Sequence, residues 1–210
     1  FGSWEDSYSS MDREIESEIV VSLSKMIENN HIYYGSKPVH WCIESSSALA
    51  EAEVEYKDIV SKAVCVNFKI INKEELGLSK SMNQKFDVYI PIWTTTPWTI
   101  PSNVAVCINP NINYSLIEVE GKYIVIAEDM FEQCMERWNQ TGEKVSTVLG
   151  KEIKDINLLH PFLDRVSILL HADHVTTETG TGCVHTAPAH GLDDHMVCKK
   201  NNIESQKALN

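Results

Sequence analysis

The sequence predicts an α+β fold that is mainly β, an antiparallel, partly closed β-barrel with peripheral helices. Three observations lead there. Six or more short runs rich in Val, Ile, Phe and Tyr recur between residues 63 and 170, separated by turn residues. Few helical patterns interrupt them, which favours antiparallel neighbours. A chain of 210 residues with 43% hydrophobic content can bury a sizeable core, most simply as one domain with appendages.

The elements follow in chain order. From Met11 to Asn29, residues Ile15, Ile19, Leu23, Met26 and Ile27 fall at three- and four-residue intervals, the spacing of an amphipathic helix that packs by one face. Ala48 to Glu55, rich in Ala and Glu, reads as a short helix or turn with a solvated charged face. Strands are expected over Ala63–Ile70, Phe86–Trp93, Val104–Ile108, Tyr114–Val119 and Lys122–Ala127, with Glu120-Gly121 turning the last two into a hairpin. Met130–Trp138 reads as helix, and Lys144–Leu149 and Val166–Leu170 as further strands. Residues 1–56 thus form a helical and connecting segment, and residues 57–210 a β-barrel core.

Composition narrows the function. No apolar run approaches the roughly 20 residues that cross a bilayer, and the first residues lack the basic-then-apolar order of a signal peptide, so a cytoplasmic protein without membrane contact is expected. Cys42, Cys65, Cys107, Cys134, Cys183 and Cys198 show no paired metal spacing and read as reduced, buried thiols. Lys plus Arg is 18 and Asp plus Glu is 30, a net charge of −12, whereas a module that grips nucleic acid by its phosphates shows a basic face. Residues 199–210 break off mid-pattern and the termini carry no caps, as in part of a larger enzyme.

Two loops concentrate the chemistry, residues 93–103 and 180–195. Gly180 to Asp194 (GTGCVHTAPAHGLDD) brings together glycines, a proline, two histidines and two adjacent carboxylates with no helical or strand period. Trp93 to Asn103 (WTTTPWTIPSN) presents three consecutive hydroxyls between tryptophans, and Pro91, Pro97 and Pro101 end the strand there, so the threonines stand at a mouth. Three in a row cannot all face one side. An Asp after a glycine turn is more often a helix cap than a site residue, and His185 alone reads as a half-buried histidine bonded to backbone. His185, His190, Asp193, Asp194 and His195 are zinc-ligand types, but their spacing fits no helical pair, so no metal is expected.

TTTPWTIPSNVAV and GTGCVHTAPAHGLDD resemble the two signature segments of the editing domain of isoleucyl-tRNA synthetases, the insertion that hydrolyses mischarged valyl-tRNA. Gly35 to Tyr56 and Gly2 to Ser10, leading into Met11-Asp12, resemble the bacterial form. The resemblance spans nearly the whole chain. Valyl- and leucyl-type domains are expected to carry Arg and an acidic residue where this chain has Thr96 and Trp98, and valyl-type ones Lys at the His185 position. The family's Cys-x-x-Cys after Trp41 is reduced here to Cys42, which removes the basis for a zinc site at that corner.

The resemblance implies the following roles. Asp194 holds the α-ammonium of the aminoacyl group, and Asp193 is a cap or supporting residue. Thr94, Thr95 and Thr96 surround the 3′ adenosine and position the hydrolytic water. His185 forms the wall that limits side-chain size, with Thr186 beside it; Trp98 stacks on base or ribose, Asn103 binds substrate, and His190 is peripheral. The partner is the 3′ end of tRNA(Ile) carrying valine, whose body the remainder of the parent synthetase holds. No cofactor is implied. Isoleucine exceeds valine by one methylene, worth only about 1–3 kcal/mol of discrimination, a range for which this enzyme type is itself the standard example, so a second, smaller sieve is needed. No side chain is an obvious general base; the vicinal ribose hydroxyl and ordered threonine hydroxyls would orient the attack. Two rivals stay open at this point, a metal-dependent hydrolase and a non-catalytic RNA 3′-end binding module, and cleavage of free valyl-adenylate is undecided.

Overall fold

The computed structural model describes Glu5, residues 7–77 and residues 82–205. Parts of the Gly2–Ser10 match and the last five residues of the tail lie outside the described residues. The chain divides into two compact units, residues 1–36 and 37–210. The first holds α1 (Arg13–Glu28), whose Asn29 side chain donates to the Lys25 carbonyl and ends it. The helix forms where its periodicity predicts, yet none of its residues is buried, and Ile19, Leu23 and Met26 remain exposed.

The second unit opens with a two-stranded hairpin, β1 (Trp41–Cys42) and β2 (Ser47–Ala48), followed by a 3₁₀ turn at Glu51–Glu53 within the stretch expected as a short helix or turn. Its main body is one nine-stranded sheet. In chain order the strands are β3 (Val64–Ile70), β4 (Val88–Thr94), β5 (Ala105–Ile108), β6 (Asn113–Val119), β7 (Lys122–Ala127), β8 (Glu143–Leu149), β9 (Asn157–Leu159), β10 (Val166–His171) and β11 (Cys183–Thr186). In space they run β11-β5-β10-β9-β3-β4-β7-β6-β8. Helix α2 (Phe131–Trp138) follows β7, and α3 (Leu192–Lys200) follows β11.

The mainly β character holds, but the antiparallel barrel does not. β5 with β10 and β4 with β7 pair in parallel, so the sheet is mixed. Among the described residues no ladder joins the end strands β11 and β8, although β11 lies against β4. The β6–β7 hairpin turns at Glu120 (φ 49°) and Gly121 (φ 76°), both left-handed, as a two-residue loop matching strand twist requires. β4 runs through Pro91, contrary to the expectation that this proline ends it. The β4–β7 ladder stops at Tyr89, so nothing on that edge demands a proline N–H.

The central strands are buried on both faces, which explains their near-continuous apolar runs. The main core joins Phe68, Ile90, Ile92, Leu116, Ile124 and Ile126. A smaller one, centred on Ala105, Cys107, Leu170 and Val175, takes Val184 and Val197 against it. Four cysteines are buried and free, Cys42 is half-buried, and Cys65 is exposed, donated to by Trp138 Nε1 at 3.2 Å.

The segment entering β11 is strapped down by neighbours distant in sequence. The Gly180 carbonyl accepts from Arg137 Nη1 at 3.1 Å, and the Arg137 guanidinium lies 5.7 Å from the Trp93 ring centre. Ala127 N–H donates to the Thr181 carbonyl at 2.9 Å, and the Tyr114 hydroxyl to that of Gly182 at 2.7 Å. Gly182 has φ 72°, and a Cβ there would come within 2.2 Å of the Ala127 Cβ. Gly180 has φ 88°, but a Cβ there would meet only Trp93, at 3.6 Å. Gly182→Ala is therefore expected to cost about 2–4 kcal/mol, backbone strain plus overpacking. Gly180→Ala should cost about 1 kcal/mol, from its left-handed backbone alone. Denaturant unfolding of both variants checks the ordering; equal losses would mean that the contact with β7 is not what requires glycine.

Candidate functional site

The run after β4 folds as a 3₁₀ turn, Pro97–Ser102, because Pro97 supplies a fixed φ at its first position and Thr96 accepts the turn's first bonds. Thr94 and Thr96 share a side. Their hydroxyls lie 3.2 Å apart, and Thr94 Oγ1 also accepts the Thr96 N–H at 3.0 Å. Thr94 is buried, Thr96 exposed, and Thr95 half-buried with its carbonyl accepting from Ser61. The strand pleat thus separates the three hydroxyls as expected. Trp98 stands out in solvent, 68% exposed.

Thr99, absent from the residues singled out by sequence, is the hub of this turn. Its N–H and its hydroxyl both donate to the Thr96 carbonyl, at 3.1 and 2.8 Å, and its Oγ1 lies 2.8 Å from His185 Nε2. Asn103 Nδ2 donates to the Ala105 carbonyl at 2.7 Å and approaches His185 Nδ1 at 3.4 Å. His160, also unforeseen, braces the turn from below. Its Nε2 lies 2.9 Å from the Ile100 carbonyl, and Phe162 N and Leu163 N point to its Nδ1. Arg165 donates to the Pro101 carbonyl. The only sequence signal for Thr99 was its place three residues after Thr96, the spacing of a turn bond.

The 180–195 loop contains more order than its composition suggests. β11 pairs antiparallel with β5, His185 opposite Val106 and Thr186 opposite Ala105. Alternation puts His185 on the Thr99 side and Thr186 on the opposite face, where its hydroxyl donates to Cys107 Sγ at 2.9 Å. His185 is thus joined to side chains, not to backbone. It is 8% exposed, and Asn103 and Thr186 are fully buried, so these two lie beneath the site surface rather than on it. Burial, then the charges of His190 and His160, push the His185 pKa down to about 4, so the ring is neutral at physiological pH.

Asp194 stands at the third position of α3 and turns back, its Oδ2 accepting the Ala187 N–H at 2.9 Å. Gly191 permits this, since a Cβ there would sit 3.2 Å from the Asp194 Cγ. Burial raises the Asp194 pKa against the opposing pull of the Ala187 N–H and His174, while Asp193 adds to the rise. Among the described residues no hydrogen bond joins Asp194 to the threonines. His190, whose Nε2 lies 3.2 Å from Ser102 Oγ, acts electrostatically on both His185 and Asp194, and it lines a cleft of about 410 Å³ with Lys37, His40 and Leu192. No group of three or more His, Cys, Asp or Glu among the described residues is arranged to hold a metal ion.

A carboxyl whose pKa is higher in the folded than in the unfolded state takes up protons on folding, so its contribution is most favourable at low pH and is lost as pH rises through the raised value. Ionised Asp194 therefore lowers stability at neutral pH. Asp194→Asn keeps an oxygen for the Ala187 N–H and removes the charge. It should equal or exceed the parent in stability at pH 7, and the difference should shrink as pH falls towards 4. Unfolding midpoints across that range check the sign.

The chain matches the model of the tRNA synthetases class I (I, L, M and V) over residues 1–179. It is 44% identical over 207 residues, 98% of its length, to isoleucine–tRNA ligases of Francisella tularensis subsp. holarctica (strain FTNF002-00 / FTA) and subsp. novicida (strain U112), and spans 22% of each. Among solved structures, the P. knowlesi cytosolic leucyl-tRNA synthetase editing domain superposes with a TM-score of 0.59 at 9% identity, covering 71% of this chain and 68% of that one. The P. falciparum counterpart gives 0.54 at 12%, covering 67% and 66%. At such identities the likeness is one of fold. The chain therefore belongs to the class I tRNA synthetases, as a segment of isoleucyl type with the editing-domain fold.

Proposed function

We propose that this chain hydrolyses the ester joining valine to the 3′ end of tRNA(Ile), with water as nucleophile and neither metal nor cofactor. Residues 57–210 are its editing core, residues 1–56 its connecting segment, and it works in the cytoplasm beside the remainder of a larger synthetase. The observation that carries this reading is the bonded wall from Thr94 and Thr96 through Thr99 to His185, which unites the two motif segments beside the exposed Thr96. Asp194 supports it with one oxygen fixed by Ala187 N–H and the other without a hydrogen-bond partner among the described residues.

In this reading the free Asp194 oxygen receives the α-ammonium. The Thr94 and Thr96 hydroxyls, with Thr95 beside them, order the attacking water against the ester carbonyl, assisted by the vicinal ribose hydroxyl. The exposed face of Trp98 takes the terminal base. The exposed edge of His185 limits the amino acid side chain, Asn103 holds that ring, and Thr186 backs the strand that carries it. A net charge of −12 suits a chain that receives only the unpaired end while other parts of the enzyme hold the tRNA body.

Asp194→Ala removes the only charged partner of the ammonium, worth about 1.5–3 kcal/mol, and is expected to slow valyl-tRNA deacylation roughly 10- to 150-fold while Asp193→Ala does less. The assay, run with excess chelator, should show undiminished parent activity. Equal loss in the two variants refutes the assignment, and chelator sensitivity restored by zinc refutes the metal-free mechanism.

Shortening the wall should admit the larger substrate. His185→Ala is expected to raise the ratio of isoleucyl- to valyl-tRNA deacylation about tenfold, since the collision it removes is worth about 1–3 kcal/mol. An unchanged ratio would move the size limit elsewhere.

A further inference from the structure

We propose that Thr99 is a positioning residue that fixes the orientation and the Nε2–H tautomer of His185, and through that ring the size limit of the amino acid pocket. The second half of this statement rests on the role given to His185 above.

The argument is a count of protons. Thr99 has one hydroxyl hydrogen, and the Thr96 carbonyl takes it at 2.8 Å. Towards His185 Nε2, 2.8 Å away, the same oxygen can therefore only accept, so Nε2 carries the proton. Nδ1 is then the ring's acceptor, and what faces it is Asn103 Nδ2, a donor whose other hydrogen goes to the Ala105 carbonyl. One direction of donation runs through all four groups, from Asn103 to His185 to Thr99 to the Thr96 carbonyl. Reversing it would set N–H against N–H at Asn103. Turning the Asn103 amide to relieve this would set its oxygen against the Ala105 carbonyl. A doubly protonated ring meets the same conflict.

The geometry makes the ring a rigid part of the wall. With burial near complete at His185, Thr99 and Asn103, no bulk water is at hand to replace a lost partner. The chain of bonds also ends on Thr96, so the histidine on β11 and the threonines after β4 are held at a fixed separation. The spacing from Thr96 marks Thr99 for a turn bond but not for His185; that contact follows from the turn at 97–102 and the β5–β11 register.

The test combines ¹⁵N chemical shifts of the imidazole with deacylation rates, in the parent, in Thr99→Val, which keeps the shape without the hydroxyl, and in Thr99→Ser, which keeps the hydroxyl. Expected are a single Nε2–H form in the parent between pH 5 and 8, loss of that single form in Thr99→Val, and its return in Thr99→Ser. The isoleucyl- to valyl-tRNA ratio should rise about tenfold in Thr99→Val, as for His185→Ala, and stay near the parent value in Thr99→Ser. A parent ring that is Nδ1–H or charged at neutral pH overturns the proposal, and needs no variant to fold. So does a Thr99→Val protein with unchanged tautomer, or one with an altered tautomer and an unchanged ratio where His185→Ala moves it. If the tautomer results hold while no protein, parent included, cleaves either ester, the hydrolase reading falls and the positioning of His185 by Thr99 stands.

Discussion

The closest constraint in this protein is the approach of the Gly182 backbone to Ala127. Without a Cβ at 182, the loop lies directly on β7, and Ala127 N–H of β7 and the Tyr114 hydroxyl of β6 bind successive carbonyls. That seat fixes where the chain enters β11, and with it which residue stands opposite Val106 on β5. Because strand side chains alternate, a slip of one residue would turn His185 away from Thr99 and bring Thr186 in its place. A single missing methyl group therefore governs which side chain faces the threonines.

Burial of so many polar groups along the candidate site is tolerable only because their bonds close on one another. Thr94, Thr99, His185 and Thr186 each have a partner within normal distance. Asn103 Oδ1 has none, a deficit of about 1–3 kcal/mol at one atom. Asp194 is held differently. It is raised in pKa by burial yet, among the described residues, anchored through one oxygen, so its environment opposes the charge that its geometry presents.

What the sequence revealed and what it concealed follow from range. The β6–β7 hairpin was legible because Glu120-Gly121 is a local turn signal between alternating runs, and α1 because its spacing is periodic. β9, β11 and α3 were not. Two are strands of three and four residues, too short to show a period, and α3 buries only Cys198, with Leu192 and Met196 exposed. Parallel pairing of β5 with β10 leaves no local mark. Thr94 to Thr96, His185 and Asp194 were singled out through motif resemblance. That Asn103 and Thr186 lie under the surface, that Thr99 links the motifs and that His160 braces the turn all depend on register across distant strands.

The contact between Thr99 and His185 closes a loop of 86 positions, and the Tyr114–Gly182 bond one of 68. Contacts of such separation form late on the way to the native state, because chain closure is an entropic cost met before any bond repays it. The β6–β7 hairpin and α2 are local and can organise first. The wall that joins the two motif segments is then among the later parts to assemble, with the β3–β9 pairing of similar separation, and a nascent chain lacks it entirely until residue 185 has emerged and found β5.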